Sequence, residues 1–202
     1  MNSIWDQSVA GHKHLIRQYI IDAMLDIVSE KGVSQVSMSQ LAKAAGVSRQ
    51  TLYNYFPDVE SVLVAWMEQE SDMLFQDISE KTASLEDPLE QLFVYVVTSL
   101  QSCVDRQHPT GVEAAMSMQA AVGPKLRTII DEHTSSLEEH LRHILERGVL
   151  QGKFRQDLDI DAQTQLIFRL TAGVHNMMAD PKYNVERITK AIMDLVMNRL
   201  TV

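Results

Sequence analysis

Four side chains within six residues carry the densest hydrogen-bonding chemistry of the chain: Arg49, Gln50, Tyr53 and Asn54. On a helix, at about 100° per residue, they share an arc of about 140° on the side away from Leu52. An arginine in such an arc can donate two parallel hydrogen bonds to guanine O6 and N7, and Gln or Asn can do the same to adenine N6 and N7. Ser39, Ser48, Thr51 and Tyr55 add hydroxyls suited to phosphate oxygens, and Lys43 adds charge. The chemistry implied is the reading of double-stranded DNA.

Such an arc works only if a short helix is held rigidly against a second one. Ser37-Met38-Ser39-Gln40 has the form of a capping box, in which Ser37 accepts from the Gln40 backbone N–H and the Gln40 side chain reaches back to the cap. Val36 and Leu41 supply the matching hydrophobic staple. A second helix is therefore predicted from Met38 to about Ala45, ended by Gly46 in the left-handed region. Ser48 caps a third helix, which Pro57 stops near Tyr55. With only Ala45-Gly46-Val47 between them, the two helices must cross steeply, as in a helix-turn-helix. Ahead of them, Ile16, Ile20, Ala23, Met24, Ile27 and Val28 recur at helical spacing until Gly32, whereas residues 1–12 show no such period and are expected to fray.

The rest of the chain reads as helix throughout. Asp58 caps a long fourth helix, Leu89 to Val104 forms a strongly apolar fifth, and a short helix is expected over Val112 to Ala121. Gly123-Pro124 opens a long helix reaching about Leu150. After the polar turn Gln151–Asp157, Asp161 to Met178 and Val185 to Leu200 close the chain. The fold class expected is all-α, with a three-helix reader over residues 1–57 and a larger helical domain over 58–202. The fourth helix joins the two.

The formal charge of −9 argues against a nucleic-acid partner until its distribution is considered. Residues 1–57 hold five Lys/Arg against four acids, so the segment after them carries −10. No apolar run is long enough to span a membrane and no secretory signal is present, which predicts a cytoplasmic protein. The single cysteine, Cys103, cannot form an intrachain disulfide and reads as a buried thiol. No nucleophile elbow, zincin, P-loop or dinucleotide fingerprint occurs, so an enzyme is not expected, and no cofactor is implied.

The run from Met38 through Pro57, MSQLAKAAGVSRQTLYNYFP, resembles the signature of the TetR-type repressors nearly throughout. The specific similarity covers about Ile16 to Leu63, and Gly148 through Asp159 with the closing helix pair resembles the family more loosely. The resemblance implies a homodimer that binds a palindromic operator and is released when a small molecule enters the larger domain. One position departs from the pattern. Where the family commonly carries a phosphate-contacting lysine just after Phe-Pro, this chain has Val59, so fewer charged phosphate clamps are expected.

In the resembled fold, Trp66, Met67, Phe93, Met116 and Phe168 lie on helices around a central cavity, with Glu70, Gln119 and His175 as polar groups able to orient a ligand. A dimer surface is expected from Leu166, Leu170, Gly173 and Met177 on one closing helix and Ile188, Ile192 and Leu195 on the other. His133, His140 and His143 share a stripe, but His133 lies about 10 Å from His140 along the axis and farther still from His143, so no metal site is assigned. A metal-responsive regulator on the same fold and a helical protein-binding adaptor are the alternatives. The adaptor gives no reason for the Arg49, Gln50, Tyr53, Asn54 arc.

Overall fold

The structure is a computed structural model that describes residues 4–32, 35–105, 124–174, 177 and 182–201. Among these residues there are eight helices and no strand: α1 (Ile4–Lys31), α2 (Met38–Ala44), α3 (Arg49–Tyr55), α4 (Val59–Thr82), α5 (Pro88–Asp105), α6 (Pro124–Leu150), α7 (Ile160–Gly173) and α8 (Val185–Leu200). The all-α class is as the sequence predicts. The expected helix at Val112 to Ala121 lies outside the described residues.

The chain divides into two compact units, the first taking the residues up to Glu68 within α4 together with the start of α6 as far as Ile130. Its core gathers Ile20, Met24, Ile27 and Val28 of α1, Leu41 of α2, Leu52 of α3 and Val62, Leu63 and Trp66 of α4. The first turns of α4 thus belong with the reader, because their apolar face completes the core formed by α1 and the two short helices α2 and α3. Leu41 and Leu52 are fully buried, and Val36 packs against the same cluster, as the staple requires. Arg17 of α1 lies over the buried Phe56 ring at 4.6 Å. α1 also begins earlier than its apolar period suggests. Once the packed turns nucleate the helix, extension toward Ile4 adds one hydrogen bond per residue fixed, and no proline opposes it.

The second unit packs α5 against α7 and α8, and α7 against α8. Ile78, Leu92, Tyr95, Val96, Leu100, Leu141 and Leu145 lie at its centre with Phe154, Ile167, Ile192 and Leu200. The turn from α4 to α5 is clamped by a buried amide: Gln91 Nε2 donates to the Thr82 and Leu85 carbonyls, and its Oε1 accepts from Arg147 Nη1 at 3.1 Å. At the end of α6, the Phe154 ring packs on Gly148, where no side chain would fit, and the Arg155 N–H donates to the Leu200 carbonyl at 2.8 Å. That bond ties the α6–α7 turn to the end of α8. Asp159 caps α7 and Asn184 caps α8, each accepting from a backbone N–H three residues on.

Candidate nucleic-acid interface

The caps and the turn that position α3 are hydrogen-bonded. Ser37 Oγ accepts from the Gln40 N–H at the start of α2, and it donates to Gln40 Oε1 at 2.8 Å. The Gln40 side chain therefore meets the cap's hydroxyl and not its backbone N–H, a small correction to the expected box. Gly46 has φ +67° and the Val47 N–H donates to the Ala42 carbonyl at 3.0 Å, which folds the chain back into α3. A residue with a Cβ is strained at that φ. Ser48 Oγ accepts from the Thr51 N–H at 2.9 Å and pairs with Thr51 Oγ1 at 2.8 Å. Asp58 then caps α4, accepting from the Ser61 N–H and hydroxyl.

These caps hold Leu52 in the core and turn the opposite face outward. Arg49, Gln50, Tyr53 and Asn54 are all exposed, Tyr53 at 55%, although an aromatic ring of that size gains from burial. The structure brings the four together on one surface, as the sequence arc requires. Lys43, in the last turn of α2, is exposed as well. Ser48 and Thr51 spend their hydroxyls on capping α3, Tyr55 is half-buried against the core, and Ser39 Oγ accepts from Arg49 Nη2 at 2.7 Å. Val59 packs against the same core. Its apolar side chain closes the reader where a lysine would have faced outward.

The expected ligand residues scatter. Trp66 is buried in the core of the first unit and Met67 packs against it. Phe168 is buried in the core of the second unit. Phe93 is 49% exposed and lines a shallow apolar groove of about 370 Å³ with Leu85, Leu89, Glu90 and Val94. Glu70 lines a separate cavity of about 320 Å³, along with Met73, Asp77, Lys81, Gln101 and Ser102. Asp77 and Lys81, four residues apart on α4, form an ion pair at 2.8 Å. That spacing was the one sequence signal for the cavity's charged wall. Met116, Gln119 and His175 lie outside the described residues, as does the side chain of Cys103.

On the closing helices the apolar stripe divides in two. Ile188 and Ile192 are buried at 5% exposure, facing α5, which removes them from the expected dimer surface. Leu166 and Leu195, by contrast, are 58% and 60% exposed, and Met177 is 38% exposed. Leu170 is half-buried, and a Cβ built on Gly173 would meet no atom within 4 Å. Among the histidines, His140 Nε2 lies 3.0 Å from Thr82 Oγ1 and its ring meets Phe75 edge-on. Burial, and then the neighbouring His143, hold His140 below the usual imidazole range. The His133 side chain is outside the described residues. No helix among them is long and apolar enough to cross a membrane.

Comparison with known proteins decides the family. Residues 20–65 match the family described as bacterial regulatory proteins, tetR family, and residues 67–199 match the YsiA-like C-terminal region. The chain belongs to the TetR family. A fatty acid metabolism regulator protein of Bacillus subtilis is 26% identical over 188 residues, 89% of this chain and 92% of the relative. The structure of the fatty acid degradation regulator FadR of Bacillus halodurans is 27% identical, with a TM-score of 0.77 over 90% of this chain and 94% of that one. FadR of Bacillus subtilis, solved in complex with stearoyl-CoA, has a TM-score of 0.78 at 22% identity, over 89% and 96%. That last likeness speaks for the fold. Within this TetR-family chain, α2 and α3 are the helix-turn-helix.

Proposed function

We propose that this TetR-family chain is a repressor that binds a palindromic operator as a homodimer and is released by an effector carrying a long acyl chain. The single observation that carries the DNA reading is the exposed arc of Arg49, Gln50, Tyr53 and Asn54 on a doubly capped helix whose opposite face is anchored by buried Leu52. One such helix contacts only a few base pairs, so adequate affinity comes from two protomers reading two half-sites about one helical turn apart. Lys43, exposed in the last turn of α2, is the cation available to a phosphate beside it. The exposed Leu166, Met177 and Leu195, with the open space over Gly173, support a two-fold contact through α7 and α8, to which half-buried Leu170 adds its free edge.

The effector class rests on the two regulators of fatty acid metabolism that match along nearly their whole length at 26–27% identity. Glu70, beside the thioether of Met73 and the Lys81 ammonium, is the ligand contact kept from the expected set, and Phe93 is a second apolar contact in its own groove. An effector that binds one subunit arrangement more tightly than the other shifts the population toward it. Release follows when that arrangement no longer places two α3 helices in successive major grooves.

Fluorescence anisotropy on duplex DNA flanking the chain's own gene tests the reading, titrated with palmitoyl-CoA, palmitate, acetyl-CoA and free coenzyme A. Specific binding that only the long-chain compounds reverse is the result expected. Specific binding that no acyl compound reverses would leave a repressor with another effector class, and a monomer in light scattering would remove the paired half-sites.

A further inference from the structure

Arg49 is the only cation on α3, and the segment from Ser37 to Pro57 contains no acid to pair with it. Its Nη2 instead donates to Ser39 Oγ at 2.7 Å, across the turn from α3 to α2. Both ends of this bond stand on fixed ground. Ser39 is in the first turn of α2, set by the Ser37–Gln40 cap, and Arg49 is the first residue of α3, set by the Ser48 cap and the Gly46 turn. From this juxtaposition, and resting on the DNA reading above, we infer that Ser39 is a positioning residue for base recognition: it holds the Arg49 guanidinium in place and does not itself touch phosphate.

The chemistry of the pair favours this role. A guanidinium presents two edges able to donate two parallel hydrogen bonds, one through Nη1 and Nη2 and one through Nε and Nη2. A single bond from Nη2 to Ser39 uses one hydrogen and leaves one edge whole, whichever hydrogen is taken. That edge can meet guanine O6 and N7. A carboxylate at position 39 would hold the arginine more tightly, but it would cancel the charge and repel the DNA. A neutral hydroxyl restrains the side chain and leaves its charge intact. An unrestrained arginine must surrender its rotamer freedom on binding, and the restraint lowers that cost only where a base contact needs one particular geometry. The effect therefore falls on discrimination at one base pair and not on affinity at large.

The test uses duplexes selected from a random pool by the wild-type chain, followed by substitution of each base pair in turn. Arg49→Ala identifies the base pair that Arg49 reads, as the position where discrimination disappears. Ser39→Ala is then expected to lower discrimination at that same position by about three- to tenfold, the net size of one ordinary hydrogen bond, since solvent at this exposed pair weakens the charge assistance. Other positions should be unaffected, Ser39→Thr should restore the preference, and adding Ser39→Ala to Arg49→Ala should cost nothing more. Uniform weakening on every duplex would assign Ser39 to phosphate and overturn the inference. So would unchanged discrimination in Ser39→Ala, or losses that add to those of Arg49→Ala. A wild-type chain that selects no sequence would remove the DNA reading and the inference together.

Discussion

Gly148 should respond to substitution with a sign that depends on its neighbour. A Cβ at this position would lie 1.9 Å and 2.1 Å from Cδ2 and Cε2 of Phe154 and 2.8 Å from Cγ. Contacts that short cannot exist, and the Phe154 ring, 3% exposed, has no solvent to retreat into. Overpacking of this kind costs up to about 3 kcal/mol. Alanine's better helix propensity near the end of α6 offsets about 1 kcal/mol. The net loss for Gly148→Ala is about 2 kcal/mol, which lowers the Tm of a chain this long by about 4–8 °C. Phe154→Ala alone should cost about 3–5 kcal/mol through the cavity it leaves. In that background the new methyl enters empty space, so Gly148→Ala should become stabilising by about 1 kcal/mol. Urea denaturation of the four proteins, followed by circular dichroism, gives the cycle. The same effect of Gly148→Ala in both backgrounds would refute the close packing of ring and glycine.

At the turn of the reader, Gly46→Ala should destabilise the first unit by about 1–2 kcal/mol with Gly46→Asn losing less, because the cost there is the φ of +67° and not a clash; chemical denaturation monitored by tryptophan fluorescence in a Trp5→Phe background measures it. With Lys43 against phosphate and Arg49 in the groove of each half-site, a dimer would bring about four cations to the duplex, so the log–log salt slope should be no steeper than about −4; a slope near −8 in titrations at several salt concentrations would contradict the role given to Val59. Stability should also fall as pH drops below the usual imidazole value. Burial and His143 lower the folded-state pKa of His140, so the unfolded chain takes up the proton first. His140→Gln should flatten thermal stability measured between pH 7 and 5.

The reader was legible because its signals are local. Staple, cap, turn glycine and cap follow one another within Val36–Ser48, and each names a backbone geometry that tertiary packing then has no reason to override. α8 was legible for a related reason, since Asn184 caps it and its apolar stripe runs unbroken from Val185 to Leu200. What the stripe could not say is which partner it faces. Ile188 and Ile192 meet the chain's own α5 while Leu195, on the same helix, is left exposed. That Trp66 and Met67 pack with the reader's core was not legible, because residue type does not distinguish a core from a cavity wall and the first turns of α4 belong to the first unit. The cavity beside Glu70 depends on residues of α4 and α5 that lie about thirty positions apart, and the Arg49–Ser39 bond on the crossing of two helices. Such spacings carry no local pattern.

The central claim is that the exposed arc of α3 distinguishes DNA sequences. The most direct measurement is the ratio of specific to non-specific affinity at one fixed salt concentration, for wild type, Arg49→Ala and Asn54→Ala, by anisotropy on the selected operator and on a scrambled duplex. The account predicts a high ratio for wild type that each substitution lowers by about tenfold or more, since a good bidentate base contact contributes about 1–3 kcal/mol of discrimination per half-site, with the scrambled duplex much less affected by Asn54→Ala. Equal affinities of all three proteins for the operator, or a wild-type ratio near one, would contradict it.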